Sequence, residues 1–257
     1  MAWYLYPIAI AAGFVCGYIN TLAGSGSLIT LPLLLAMGLP ANVANGTNRV
    51  GIVLQNVVGA GSFRQQKVLD WRGGLLLSIP AVIGSVIGAQ IAVNLDEQMM
   101  RRAIGALMIV MLVVILVRPN RWLEGRPGAV QHRLDWKQTL IFFAIGVYGG
   151  FIQAGVGIFL LAALVLGAGY DLVWANAIKV FIVLCFTASA LLVFLANGQV
   201  QWGIGLLVGV GNMLGAWAGA RMAVKRGTAF VRWVLTAVVV VSAADLLGLF
   251  EFAARLF

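Results

Sequence analysis

The stretch NTLAGSGSLITLPLLLAMGLP, residues 20–40, contains an apolar run that begins directly after the glycine break Gly24-Ser25-Gly26. The run covers residues 26–38, which is too short for one helix to cross a bilayer, because a crossing needs about 20 residues. A helix that stops inside a membrane leaves backbone groups unpaired, and this is tolerated only where they are buried in protein or line a cavity. The stretch therefore predicts a discontinuous helix inside a membrane protein.

The composition of the whole chain also indicates a membrane protein. Of its 257 residues, 62% are hydrophobic and only 10% are charged, whereas a soluble domain carries about 25% charged residues. An ordinary soluble enzyme is therefore excluded. The net charge is +9, and because the basic residues lie between apolar runs, we attribute it to the Lys and Arg excess of cytoplasmic loops rather than to nucleic-acid binding.

The apolar runs form two sets of five, separated by a polar stretch. The first set lies at about 4–22, 26–38, 44–63, 73–93 and 102–117. The second set lies at about 138–154, 157–169, 174–196, 202–222 and 233–250. We therefore predict a first membrane repeat at 1–117, a cytoplasmic basic linker at 118–137 and a second membrane repeat at 138–257.

An internal duplication explains the two sets. Shifting the chain by 131 positions aligns residues 26–110 with 157–241 without a gap. Identical residues then coincide, among them Asn45 with Asn176 and Trp71 with Trp202, as expected for a diverged repeat. The first break aligns with a second one, Gly155-Val156-Gly157. Just before the breaks, with a two-residue gap, Asn20 aligns with Gln153.

Two arrangements of the repeats fit the short runs. In one, each repeat opens with a single long broken helix, which gives four crossings per repeat and parallel repeats. In the other, each repeat opens with a hairpin of two short arms, which gives an odd number of crossings and inverted repeats. The single-helix arrangement divides the basic residues almost evenly between the two faces of the membrane. It therefore lacks the excess of Lys and Arg that membrane proteins usually carry on their cytoplasmic face.

The hairpin arrangement places twelve basic residues on one face and three on the other, so we favour it. The twelve are Arg64, Lys67, Arg72, Arg118, Arg121, Arg126, Arg133, Lys137, Arg221, Lys225, Arg226 and Arg232, and the three are Arg101, Arg102 and Arg255. The predicted fold is an all-α integral membrane protein with two inverted repeats, each a broken-helix hairpin plus three transmembrane helices. Both termini are then periplasmic and the linker is cytoplasmic.

The glycine breaks are the first candidate part of a binding site. The short arms that begin near Ser25 and Val156 would direct their N-terminal dipoles into the protein, and such half-helix N-termini bind anionic groups in several transporters. We expect Gly26 and Gly157 to adopt positive φ, which glycine does without strain. The alternative is that the breaks only allow close helix packing.

Polar residues inside the third run of each repeat are the second candidate part. Asn45-Gly46-Thr47-Asn48-Arg49 and Asn176-Ala177-Ile178-Lys179 each bring one cation into an apolar segment, where charges are costly and usually functional. A cation without a nearby carboxylate suits an anionic substrate, although both side chains could instead extend to the membrane interface. The predicted substrate-binding residues are Asn20, Gly24, Ser25, Gly26, Asn45, Gly46, Thr47, Asn48, Arg49, Gln153, Gly155, Gly157, Asn176 and Lys179.

Later in each repeat, glycines recur at a spacing of four residues, which places them on one face of a helix. We predict that these faces pack closely against other helices, and the same faces could also join two copies of the chain in a homodimer. The glycines are Gly84, Gly88, Gly211, Gly215 and Gly219.

No enzyme chemistry is indicated. The sequence has no Gly-rich phosphate loop and no Ser/His/Asp set, and its one histidine, His132, lies in the linker, which nearly excludes a His-built metal site. We therefore expect no catalytic residue, no metal and no cofactor. Asp245, deep in the last apolar run, is a candidate either for proton relay or for an ion pair.

Together these motifs resemble the TauE/SafE sulfite exporter family. The resemblance rests on the glycine-broken first segment, on the opening Ala44-Asn45-Gly46-Thr47-Asn48 and its repeat after a basic linker, and on Trp71-Arg72-Gly73-Gly74. It implies a bacterial inner-membrane permease that moves sulfite, sulfonates or related sulfur anions outward, with membrane lipid as its surroundings. The second repeat departs from the pattern at Ala177-Ile178, which implies an asymmetric site. Uptake of another organic anion and a non-transport membrane subunit remain open as alternatives.

Overall fold

The computed structural model describes residues 5–117 and 135–246, and these ranges are helical except for short connections. The helices within the predicted first repeat are α1 (Leu5–Ala23), α2 (Ser27–Ala36), α3 (Ala41–Gln65), α4 (Trp71–Val93) and α5 (Glu97–Val117). Those within the predicted second repeat are α6 (Trp136–Phe151), α7 (Val156–Ala162), α8 (Leu172–Ala196) and α9 (Trp202–Leu246). The prediction of an all-helical protein is confirmed for the described residues, while linker residues 118–134 and the end of the last apolar run lie outside them.

The end of the second predicted repeat agrees with the sequence prediction. The apolar runs at 202–222 and 233–250 were expected to form two helices, and within α9 two helical segments meet at a kink at Gly227, whose backbone angles (φ 72°, ψ −169°) are not helical. Glycine can adopt this angle without strain, so the chain changes direction there without a loop. Asp245 lies near the end of α9, and its side chain lies outside the described residues.

Three helices in the described ranges are long and apolar enough to cross a membrane: Trp71–Val93, Leu172–Ala196 and Trp202–Val231. The apolar helices on either side of the glycine breaks are shorter, as a discontinuous helix requires. The chain is therefore a multi-pass membrane protein whose broken helices lie among longer ones.

Local capping determines where two of the long helices begin. Asp70 Oδ1 accepts a hydrogen bond from the Gly73 N–H (3.0 Å) at the start of α4. Asp171 Oδ1 accepts from the N–H groups of Val173 (2.8 Å) and Trp174 (3.2 Å) at the start of α8. These caps satisfy N–H groups that have no partner within the helix.

The two repeats pack against each other reciprocally. The first helix of each repeat lies against the fourth helix of the other, so that α1 packs on α9 and α6 packs on α4. A Cβ atom on Gly84 would overlap the Phe143 carbonyl, and one on Gly215 would overlap the Phe14 carbonyl. The predicted packing role of the small-residue faces is thus confirmed, and because they are covered within the chain, a homodimer needs another surface.

Hydrogen bonds between loops group them at two ends of the molecule. At one end, Tyr170 Oη donates to Asp70 Oδ2 (2.7 Å), which joins the α3–α4 connection to the segment before α8. At the other end, Asn42 donates to the Leu95 carbonyl (2.7 Å) and Gln199 donates to the Val93 carbonyl (3.1 Å). Burial and the Asp70 carboxylate raise the pKa of Tyr170, so its phenol remains a donor.

Candidate substrate site

The glycine breaks of the two repeats are in direct backbone contact. A Cβ atom on Gly24 would lie 2.5 Å from Gly157 Cα, and one on Gly157 would overlap Gly24 Cα. Neither position has room for a side chain. The breaks that the sequence places at equivalent points of the repeats therefore meet at one place in the structure.

The chain reversals occur earlier in each break than predicted. Gly26 has φ −57° and Gly157 lies inside α7, so the prediction of positive φ at both is wrong. The left-handed residues are Gly24 (φ 77°) and Gly155 (φ 71°), because each reversal occurs where the incoming helix ends. Gln153 also has a positive φ of 68°, which is uncommon for a residue with a side chain.

The start of α2 offers unpaired donors. After the break, the N–H groups of Leu28 and Ile29 bond back to the carbonyls of Ser25 and Gly26. The first amides of a helix have no partner within it, and those of Ser25, Gly26 and Ser27 have none among the hydrogen bonds of the described residues. The Ser25 hydroxyl is 2% exposed and also has no partner. These donors and the helix dipole favour an anion.

Lys179 lies at the end of α1. Its Nζ donates to the carbonyls of Asn20 (2.9 Å) and Thr21 (2.9 Å) and to Asn176 Oδ1 (2.7 Å). All three ammonium donors are therefore used, and the side chain is only 2% exposed.

Arg49 occupies the corresponding place at the end of α6. Its guanidinium donates to the carbonyls of Gly149 (3.1 Å) and Gly150 (2.6 Å) and to Gln153 Oε1 (3.3 Å). A longer bond of 3.5 Å reaches Asn45 Oδ1, and the ring of Phe194 lies 4.6 Å from the guanidinium carbon. The residue is fully buried and its Nε has no partner.

The two cations thus cross between the repeats. Arg49 of the first repeat contacts the end of α6, and Lys179 of the second contacts the end of α1. Their full burial excludes the alternative in which they extend to the interface. No described carboxylate lies within ion-pair distance of either, so the carbonyl dipoles satisfy their hydrogen bonds without neutralising their charges.

A small cavity lies beside the contact between the breaks. It has room for about one water molecule. Its walls are formed by Asn20, Ser27, Asn56, Gln153, Val156, Gly157, Lys179 and Val183. Lys179 is therefore the cation on the cavity wall, while Arg49 is held behind Gln153.

Other predicted residues support this arrangement from outside the cavity. Asn45 donates to the Phe151 carbonyl (2.7 Å), and Asn48 Oδ1 accepts from Thr30 (2.7 Å). Gly46 packs against the Gln199 carbonyl. Thr47 Oγ1 accepts from the Gln201 N–H (2.9 Å), near the Gln199 end of the molecule. The structure therefore brings together only part of the predicted set at the cavity.

Sequence analysis missed Ser27, Asn56 and Thr187. Asn56 lines the cavity, and Thr187 Oγ1 accepts from Gln153 Nε2 (2.6 Å). A usable signal was present: Asn56 follows Arg49 by seven residues, and Thr187 follows Lys179 by eight. At these spacings each pair lies on one helix face, so both residues continue the polar faces that begin with the cations.

An all-helical, multi-pass fold with broken helices is an architecture that several classes of membrane transporter use. The chain matches the family described as "Sulfite exporter TauE/SafE" over residues 9–246, and it belongs to that family. The family implies a small anionic substrate.

Three similar curated proteins are each described as a probable membrane transporter. "Probable membrane transporter protein ORF9" of Sinorhizobium sp is 29% identical, covering 96% of this chain and 94% of that protein. A "Probable membrane transporter protein" of Haemophilus influenzae is 29% identical over 89% of each chain. "Probable membrane transporter protein YfcA" of Escherichia coli K12 is 29% identical over 95% of this chain and 88% of that one. No solved structure matches. As a member of the family described above, the chain is a membrane transporter rather than an enzyme.

Proposed function

We propose that this chain is a secondary transporter that exports a small sulfur oxyanion, sulfite or an organosulfonate, across the bacterial inner membrane. The observation that carries the proposal is Lys179, a buried and unneutralised ammonium on the wall of the cavity beside the breaks. Family membership supplies the substrate class. Membrane lipid and a second copy of the chain are the other proposed partners.

Oxyanions accept hydrogen bonds from several directions, and the proposed site offers donors to match. Ser27, the first residue of α2, lines the cavity together with Lys179, and the Ser25 hydroxyl two residues earlier is buried without a partner. Because the three donors of Lys179 are already used, its contribution to the anion is the attraction of its charge, which is strong where water is excluded. In this proposal, Arg49 and Asn45 position the end of α6 rather than contact the anion.

Transport requires the cavity to open, because its volume in this structure would hold only about one water molecule and is too small for an oxyanion. We propose that the two breaks separate toward each end of the molecule in turn. The reciprocal packing of α1 on α9 and of α6 on α4 supports inverted repeats that exchange roles in this movement, as in other transporters built from repeats. A membrane potential that is negative inside favours outward movement of an anion by about 2.3 kcal/mol per charge per 100 mV.

Anion flux in proteoliposomes tests the proposal. Purified protein should carry radiolabelled sulfite or a sulfonate such as taurine or sulfoacetate faster than protein-free vesicles, with sulfate and thiosulfate as competing anions. Imposing the potential in both directions distinguishes export from uptake. Absence of flux for every anion on this panel, with folded protein in the vesicles, contradicts the proposal.

The topology can be tested separately. Reporter fusions at Pro127 and after Phe257 should report opposite sides of the membrane, with the linker on the cytoplasmic side, because the basic residues collect there. Fusion after Arg101 provides a further point on the periplasmic side. If Pro127 and Phe257 report the same side, both the hairpin arrangement and the inverted repeats are wrong.

Ser25→Ala should weaken transport moderately. The substitution removes one unpartnered hydroxyl donor, worth about 0.5–1.5 kcal/mol, so we expect a rise in apparent KM of about two- to tenfold with little change in melting temperature. Ser189→Ala is the matched control, since that hydroxyl donates to the Cys185 carbonyl within α8 (3.1 Å). An unchanged KM in Ser25→Ala would remove the start of α2 from the site.

A further inference from the structure

The ammonium of Lys179 lies among oxygen atoms that come from elsewhere in the chain. The carbonyl oxygens of Asn20 and Thr21 and Asn176 Oδ1 lie 2.7–2.9 Å from Nζ. A further oxygen, Thr21 Oγ1, is buried nearby on the chain without any hydrogen-bond partner. Three oxygens at this distance from one point form a cage for a monovalent cation.

The cage is made by the end of a broken helix. α1 stops at Ala23, so its last carbonyls have no partner within the helix, and the helix dipole adds partial negative charge there. In transporters with discontinuous helices, such carbonyl ends hold the coupling cation. Here the same kind of position is filled by a side chain of the other repeat.

The second repeat shows the same arrangement. The carbonyls of Gly149 and Gly150, at the end of α6, accept from the guanidinium of Arg49 at 3.1 and 2.6 Å. The occupant again comes from the third helix of the opposite repeat. Both broken helices therefore end on a covalently attached cation, so the pattern does not depend on one side chain.

We infer that the end of α1 is a monovalent-cation site occupied by the ammonium of Lys179, which replaces the coupling ion that a transporter of this architecture would otherwise bind. The inference rests on the proposed transport function. An attached cation stays with the protein through the cycle. The substrate charge then moves alone, so transport responds to the membrane potential and requires no sodium or potassium ion.

Removal of the side chain should expose the cage. Lys179→Ala leaves the oxygens in place with a space for an external cation, and ammonium makes hydrogen bonds at the observed distances. We expect ammonium chloride to raise the melting temperature of detergent-solubilised Lys179→Ala by about 3 °C or more relative to choline chloride. Choline is the control because its quaternary ammonium is too large for the cage and has no N–H group to donate. Lys179→Met is the matched variant, since its side chain fills the space and should abolish the response.

The stability measurement does not depend on transport, so its outcome is separate from that of the proposed function. Equal melting temperatures in ammonium and choline for Lys179→Ala overturn the cation site, whatever the flux assays give. If the variant cannot be purified in either salt, the inference is tested instead by measuring flux through the wild-type protein. Potential-driven flux that is unchanged when choline replaces sodium and potassium supports the inference, and flux that requires either ion overturns it.

Discussion

Lys179→Gln should lower anion flux at low substrate concentration by about 30-fold to several thousand-fold. The substitution removes a desolvated charge from the cavity wall, and loss of such a charge-assisted partner costs about 2–5 kcal/mol. Initial flux per folded protein in proteoliposomes measures the effect. Glutamine keeps an amide donor near the carbonyls of Asn20 and Thr21, which limits the accompanying loss of stability.

Arg49→Gln is the matched control for this prediction. Arg49 is an equally buried cation bonded to helix-end carbonyls, but it does not line the cavity. We expect it to lower the melting temperature more than Lys179→Gln does, because the guanidinium bonds more groups, and to reduce flux per folded protein less. Wild-type flux in Lys179→Gln would show that Lys179 is not the cation that attracts the substrate. A larger loss of flux in Arg49→Gln than in Lys179→Gln would give that role to Arg49.

The sequence contains enough to predict the main elements of the fold. The run after Gly24-Ser25-Gly26 is too short to cross a bilayer, and α2 ends at Ala36 as expected for a short arm. The internal repeat predicted a second broken helix, which is present as α6 and α7. These predictions succeed because helix length and glycine breaks are local properties that a sequence records directly.

The partners of the buried cations were not predictable in the same way. From sequence alone, Arg49 and Lys179 are both candidate substrate cations, and the loss expected on substituting Lys179 is the same as for Arg49 or slightly smaller. Their main acceptors are backbone carbonyls contributed by the opposite repeat. Every residue has a backbone carbonyl, so the sequence cannot show which ones accept these hydrogen bonds. Only the packing of the repeats distinguishes Lys179, on the cavity wall, from Arg49 behind Gln153.

Two polar residues were missed because only adjacent polar residues were treated as a cluster. The cluster at 45–49 was recognised because its polar residues are adjacent, whereas Asn56 and Thr187 are single residues in apolar surroundings. Helical spacing links them to the cations, so following the polar face along α3 and α8 would have found both. The positive φ angles were misplaced for a related reason: glycines at both sides of each break fit a reversal equally well from sequence.

Gly157→Val should abolish transport. A Cβ atom at this position would overlap Gly24 Cα, so the two breaks cannot keep their contact, and the wall of the cavity that Gly157 forms is displaced. Gly157→Ala should show the same effect in weaker form. Overpacking of this kind costs about 1–3 kcal/mol, which corresponds to a fall in melting temperature of about 2–12 °C for a chain of this size. Flux and melting temperature are measured on the same preparations.

Gly38→Ala separates contact between the breaks from glycine strain in general. Gly38 also has a positive φ (88°), but a Cβ atom there would meet no atom within 4 Å, so the variant carries only the strain of a left-handed residue, about 1–2 kcal/mol. We expect it to melt at a moderately lower temperature and to transport normally. If the breaks served packing alone, Gly157→Ala and Gly38→Ala of equal stability would transport equally. A Gly157→Val protein that melts at the wild-type temperature and still transports would show that contact between the breaks is dispensable, and the substrate site would then have to lie elsewhere.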